Sequence, residues 1–302
     1  MTTRCGFVAL IGEPNAGKST LMNRLIGSKV SIVTHKVQTT RARIRGIAMQ
    51  GEAQIVFVDT PGLFKTRRKL DKAMVASAWS GAADADIVVL LIEAHRGITD
   101  GVRMILDGLE NRQSGNQLMV LAINKIDRVK SESLLALTKE MVALFDFEEV
   151  FMISAEKGHG TSSLLEWLSG NVPEGPYLYP EDQIADVPMR MIAAEVTREK
   201  LMLRLHQELP YNLTVETENW EERKDGSVRI DQIVYVTREG HKGIALGPKG
   251  ETIKAVSMAA RTELAEMMDR KVHLFIQIKL RPNWENEAER YDMMGLDFKD
   301  TK

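Results

Sequence analysis

The chain has 302 residues, 44% of them apolar and 27% charged, and a formal net charge of −2 from 40 basic and 42 acidic side chains. That length suits two domains of about 100 to 200 residues each, and the composition excludes a disordered, collagen-like or coiled-coil chain. A charge so near zero also excludes a uniformly basic coat for nucleic acid, so any polyanion site must be local.

No apolar run approaches the roughly 18 to 20 residues that span a bilayer. The opening Met1-Thr2-Thr3-Arg4-Cys5 lacks a signal-peptide pattern, and the single Cys5 excludes an intramolecular disulfide. A cytoplasmic location is expected. From Cys5 to about Leu168, short apolar runs at 6–11, 54–59, 87–92, 118–123 and 150–154 alternate with segments of helical period. This alternation predicts an α/β domain with a largely parallel sheet, helices on both faces, and ligands beyond the carboxyl ends of the strands.

Residues 170–186 hold three prolines and two glycines, the mark of a linker. The expected boundaries are a first domain over 1–170, a linker over 171–186, and a second domain with a C-terminal tail over 187–302. In the second, a helix after Pro188 stops before Pro210, and a hairpin turns at Lys224-Asp225-Gly226. Two helices follow, split by Gly247-Pro248-Lys249-Gly250, and a last strand alternates Val272, Leu274, Ile276, Ile278 and Leu280. The order is α-β-β-α-α-β.

Gly12-Glu13-Pro14-Asn15-Ala16-Gly17-Lys18-Ser19 lies between the first strand and a helical pattern, the context of a phosphate-binding loop. Its glycines let backbone N–H groups converge on phosphate oxygens, Lys18 adds a point charge, and Ser19 offers a hydroxyl oxygen to Mg²⁺. Asp59-Thr60-Pro61-Gly62 closes the strand at 54–59, where a carboxylate reaches Mg²⁺ through water and a glycine N–H sits beside the γ-phosphate. Asn124-Lys125-Ile126-Asp127 closes another strand. Asp127 can accept from the N1–H and exocyclic amine of guanine, a donor pair that adenine lacks, at about 1.5–3 kcal/mol per bond. Ser154-Ala155-Glu156 closes the fifth, with the Ala155 N–H facing the guanine O6.

These four motifs in this order resemble translation-factor-type GTPases. The resemblance implies that Gln38-Thr39-Thr40-Arg41 is the first switch, with Thr40, or alternatively Thr39, on Mg²⁺. It implies Leu63 at the position where Ras-like GTPases carry a water-orienting glutamine. Relatives with an apolar residue there often recruit K⁺ through a phosphate-loop asparagine, here Asn15, although a turn-forming role explains Asn15 equally well. The catalytic set is then Lys18, Thr40, Gly62 and Asn15, and turnover without a partner is expected below about 1 s⁻¹.

The second domain resembles a type II KH domain, whose glycine loop clamps about four single-stranded nucleotides. The implied RNA-contacting residues are Lys242, Gly247, Pro248, Lys249, Gly250 and Lys254. After residue 180 the balance is 19 basic to 23 acidic side chains, so affinity is expected to rest on base contacts more than on broad electrostatics. The pairing of a P-loop GTPase domain with a smaller α+β KH domain resembles the Era family of bacterial ribosome-assembly GTPases. Strings such as Tyr179-Pro180-Glu181-Asp182 and Glu208-Leu209-Pro210-Tyr211 support it. The resemblance implies GTP/GDP and Mg²⁺ as ligands, the 3′ end of small-subunit ribosomal RNA and the maturing small subunit as partners, and peripheral association with the inner membrane; the sequence leaves the oligomeric state open, with a monomer favoured. Two alternatives stay open: a constitutive RNA scaffold with a structural nucleotide, and a signalling GTPase with a KH-like interaction domain.

Overall fold

The computed structural model describes residues 2–36, 38–64, 66, 68–112 and 117–301. The chain divides into two compact units, one of Met1–Ser31, Val37–Asp186 and Tyr291–Lys302, the other of Ile32–Lys36 and Val187–Arg290.

The first unit runs β1 (Arg4–Gly12), α1 (Lys18–Ile26), β2 (Ile44–Gln50), β3 (Ala53–Asp59), α2 (Lys69–Ala83), β4 (Ile87–Glu93), α3 (Asp100–Glu110), β5 (Leu118–Asn124), α4 (Ser131–Leu144), β6 (Glu149–Met152) and α5 (Thr161–Asn171). The sheet order is β2-β3-β1-β4-β5-β6, parallel except where β2 meets β3. Every residue of β3 and β4 is buried, as a sheet covered on both faces requires.

Three features depart from the sequence expectation. Strand β2 falls in a stretch where no strand was expected; it pairs antiparallel with β3 across a turn in which Gly51 takes φ +57°. The proline-rich stretch read as a linker is strapped down. Ile47 N–H donates to the Ile184 carbonyl at 2.9 Å and Asp186 N–H to that of Arg45 at 3.0 Å, along the open edge of β2. Buried Gln54 accepts from the N–H groups of Leu178 and Tyr179 and donates to the Tyr179 carbonyl. Proline and glycine mark the lack of regular structure, not freedom of movement. Finally, the C-terminal tail groups with the first unit, not the second: Met294 accepts from the Arg43 N–H at 3.2 Å, and Tyr291 packs edge-on against Phe298, ring centroids 5.0 Å apart.

The second unit contains α6 (Met189–Arg204), β7 (Leu213–Glu222), β8 (Val228–Val236), α7 (Glu239–Leu246), α8 (Glu251–Met268) and β9 (Val272–Leu280), with a short α9 (Ala288–Met293) after them. β7 pairs antiparallel with β8, and β9 parallel to it. Parallel pairing needs a crossover, which α7 and α8 supply. Leu201, Leu213, Val234 and Val256 centre one apolar cluster, and Val196, Ile230, Ala260 and Leu264 another. Residues 32–36 join this unit through α6: Val33 N–H donates to Glu199 Oε1 at 2.8 Å. Lys36 Nζ donates to the Met202 and Leu205 carbonyls, a favourable place for a cation at a helix C-terminus. Among the described residues no helix is long and apolar enough to cross a membrane.

Candidate nucleotide site and nucleic-acid interface

The loop from β1 to α1 turns through left-handed backbone at Gly12 (φ +151°), Asn15 (φ +69°) and Gly17 (φ +100°). A Cβ on Gly17 would stand 2.3 Å from Asn124 Nδ2, so only glycine fits. Lys18 opens α1 and folds back over the loop, donating to the Gly12 and Glu13 carbonyls at 3.1 Å each. Burial lowers its pKa to about 8, against the opposing charges of Asp59, Glu13 and Glu93. A buried ammonium at a helix N-terminus, ringed by inward-turned backbone, is built to receive phosphate oxygens.

Ser19, Thr40 and Asp59 converge beside it. Ser19 Oγ donates to Asp59 Oδ2 at 2.8 Å and lies 3.0 Å from Thr40 Oγ1, which in turn is 3.2 Å from the same carboxylate oxygen. Thr40 is thus the threonine of the pair whose hydroxyl reaches this cluster. Ser31 Oγ also donates to Asp59 Oδ2, at 2.7 Å. Burial pushes the Asp59 carboxyl up, while the Ser31 hydrogen bond, the Lys18 charge and the Ser19 and Thr40 hydroxyls pull it down. Its other oxygen, Oδ1, is buried with no hydrogen-bond partner among the described residues. An orphaned carboxylate oxygen beside two hydroxyl oxygens fits a hard divalent cation such as Mg²⁺.

The loop Asp59-Thr60-Pro61-Gly62, where the GTPases that this chain resembles carry their second switch, passes close by. A Cβ on Gly62 would come within 2.8 Å of Pro14 N, so the two loops touch there. Thr60 and Pro61 are buried, and the Thr60 hydroxyl donates to the Leu10 carbonyl at 2.7 Å, a structural duty. Leu63, at the position where Ras-like GTPases carry a glutamine, turns its side chain into the apolar core instead, 1% exposed, and its N–H donates to the Gly12 carbonyl at 3.0 Å.

Where a base would sit, Asn124 ties three segments together. Its Nδ2 donates to the Ala16 carbonyl at 2.8 Å, and its Oδ1 accepts from the N–H groups of Lys125 and Ala155 at 2.8 and 3.0 Å. The Ala155 N–H is therefore committed to Asn124 here, in place of the free donor expected for a base oxygen. Lys125 Nζ bridges the Asn15 carbonyl at 2.7 Å and Glu93 Oε2 at 2.5 Å. Asp127 is exposed; it accepts from Ser154 Oγ at 2.6 Å, which with Arg128 and Lys157 nearby holds its carboxyl below the usual range. Ile126 packs against the apolar core. Glu156 is exposed, and Arg24 donates to its carbonyl and to that of Ala155.

The structure adds Ser31, Arg24 and Glu93 to this site. None belongs to a motif, and no sequence signal marks them.

In the second unit, α7 ends at Gly247 (φ +73°), and Lys249 (φ +51°) and Gly250 (φ +78°) keep the backbone left-handed into α8. Pro248, Lys249 and Lys254 are exposed. Lys242 is half-buried and lies 3.8 Å from Glu239, which offsets part of its charge. Exposed Ile244 was not foreseen; it stands on α7 beside a cleft of about 280 Å³ that His206, His241 and Thr252 also line.

Two family models match, a "50S ribosome-binding GTPase" model over residues 7–125 and a KH domain model over 208–285. A GTPase Era of Dinoroseobacter shibae is 74% identical over 298 residues, covering 99% of this chain and 97% of that protein. One of Rhizobium meliloti is 60% identical over 296 residues, covering 98% and 94%. A crystal structure of Era in complex with MgGDPNP and nucleotides 1506–1542 of 16S ribosomal RNA superimposes with a TM-score of 0.90 at 34% identity, covering 97% of this chain and 99% of that one. On this agreement of motifs, fold and full-length relatives, the chain belongs to the Era family of GTPases.

Proposed function

We propose that this chain is a GTP-hydrolysing switch that binds the 3′ end of small-subunit ribosomal RNA and assists maturation of the small subunit. The observation that carries the reading is the joining, in one chain, of the Lys18–Ser19–Thr40–Asp59 cluster to a second unit that displays a left-handed glycine loop. Support for the RNA comes from the similar Era structure that holds nucleotides 1506–1542 of 16S ribosomal RNA.

In this reading residues 12–19 cradle the phosphates, and Lys18 meets the β- and γ-oxygens. Ser19, Thr40 and Asp59 would hold Mg²⁺, the two hydroxyls directly and the carboxylate through water. When bound, Mg²⁺ would supply positive charge to the phosphate oxygens as the bond from the γ-phosphorus to the β–γ bridging oxygen breaks. Asp127 selects guanine, with Asn124 holding the surrounding loops, while the Gly62 N–H holds the γ-phosphate. The core-packed Leu63 orients no water, so hydrolysis is slow without a partner, and K⁺ at Asn15 is the proposed supplement. Lys249 and Lys254 meet RNA phosphate, and Ile244 offers a base an apolar surface. The protein works in the cytoplasm, with peripheral association at the inner membrane.

The switch acts through residues 32–36, which lie between Ser31 and Thr40 of the cluster and hydrogen-bond to α6. Nucleotide-dependent movement of Thr40 would then reach α6. The test is the affinity of the full chain for an oligonucleotide of the 3′ end in its GTP-analogue and GDP forms. A difference of tenfold or more is expected. Equal affinities leave no differential free energy and favour the constitutive scaffold, while no selective RNA binding favours a KH-like protein-interaction domain.

A further inference from the structure

The backbone at Gln38 is left-handed, φ +58°, although the residue is not glycine. Such a conformation is strained for a residue with a side chain and persists only where its surroundings hold it. Gln38 is buried, and its Nε2 donates to Asp71 Oδ1 at 2.5 Å. Asp71 is buried as well, 4% exposed, and its Oδ2 accepts from the Arg68 N–H at 3.0 Å, which ties the first turn of α2 to the residue before it. Arg41 Nη2 points at Gln38 Oε1 from the other side, at 3.5 Å. One carboxylate therefore holds both the strained residue of the first switch and the first turn of the helix that follows the second.

We propose that Asp71 is a positioning residue for Thr40, acting through Gln38, a role that rests on the nucleotide site proposed above. Thr40 stands two residues beyond Gln38, and its hydroxyl reaches Ser19 and Asp59 at 3.0 and 3.2 Å. With Gln38 fixed in the left-handed region, the chain delivers Thr40 to that cluster. Released, residue 38 relaxes toward negative φ and redirects the peptides on either side of Thr39. The hydrogen bond from Gln38 to Asp71 spans 33 residues of sequence, so it also couples the two switches: α2 cannot leave its first turn without freeing Thr40.

The polarity of this bond is testable by exchange. Asp71→Asn still accepts from the Arg68 N–H but turns an amide NH₂ toward the Gln38 NH₂, and Gln38→Glu sets two carboxylates face to face. In the double variant the Asp71→Asn amide donates and the Gln38→Glu carboxylate accepts, with Arg41 still opposite. The readouts are GDP affinity, kcat/KM for GTP, and amide hydrogen exchange at residues 38–41. Each single variant is expected to lose tenfold or more in kcat/KM and to exchange faster at 38–41, with GDP affinity within twofold of the parent chain. The double variant should recover to within threefold.

Single variants indistinguishable from a GDP-binding parent, or a double variant no better than the worse single, overturn the proposal and leave the nucleotide site standing. So does a parallel loss of GDP and GTP binding, which would make Asp71 merely structural. A parent chain that binds no guanine nucleotide removes the site itself, and the proposal with it.

Discussion

At Asn15 two physical accounts meet in one side chain. Its φ of +69° lies in the region that asparagine tolerates better than most residues, so the turn alone explains its presence. Its carbonyl is also fixed, by Lys125 Nζ at 2.7 Å, and its side chain is exposed at the loop's rim. With Leu63 sunk in the core, a cation at this rim would add to the charge that Lys18 and Mg²⁺ bring against a developing transition state. Replacing K⁺ with Na⁺ is therefore expected to slow hydrolysis about tenfold, and Asn15→Ala to erase the difference while GDP affinity stays within a few-fold. Equal rates in both salts reduce Asn15 to its turn. The residues of the phosphate loop were legible in the sequence because one contiguous string does the work. Ser31 was not: its contact with Asp59 spans 28 residues, and no local pattern announces a hydroxyl that serves a distant carboxylate. Asp71 was invisible for the same reason, across 33 residues.

The two glycines of the loop between α7 and α8 are not equivalent as elements of the turn. A Cβ on Gly247 would lie 2.1 Å from Thr252 Oγ1, whereas nothing lies within 4 Å of one on Gly250. Gly247→Asp would therefore disturb the start of α8, and its loss of RNA binding would say little about contacts. Gly250→Asp adds a negative charge in open space at the cost of a left-handed φ, about 1–2 kcal/mol. It is expected to weaken binding of a 3′-end oligonucleotide at least tenfold and to leave GTP hydrolysis unchanged. Undiminished RNA binding would move the interface away from the loop. Elements with a clear period, such as β4 or α8, were legible from their apolar pattern. Strand β2 was not, because Arg45 and Gly46 interrupt its alternation and its place is fixed by the hairpin to β3. The strapped stretch at 171–186 was misread because its bonds to Gln54 and β2 are made by backbone groups, which composition does not report.

Over the whole molecule, order in sequence and membership of a folded unit diverge at both switch and tail. Residues 291–302 follow the second unit directly, which is why they were read as part of it, yet they group with the first. Tyr291 and Leu296 are 1% and 3% exposed, and residues 298–301 lie against α2. The residues between 187 and 290 are thus an insertion in the first unit, joined to it at both ends. Burial of each large apolar side chain contributes about 1.5–3 kcal/mol, so the tail stabilises the first unit by roughly 3–6 kcal/mol through these two residues alone. In a unit of this size each kcal/mol moves the midpoint by about 2–4 °C. Deleting 291–302 should therefore lower the thermal transition that GDP raises by roughly 6–24 °C, with the transition of the second unit unmoved. Scanning calorimetry with and without GDP separates the two, because only the unit that binds GDP gains stability by mass action. If the GDP-insensitive transition falls instead, the tail supports the second unit, and the original placement by sequence order was right. If neither moves, burial of Tyr291 and Leu296 contributes no stability to either unit.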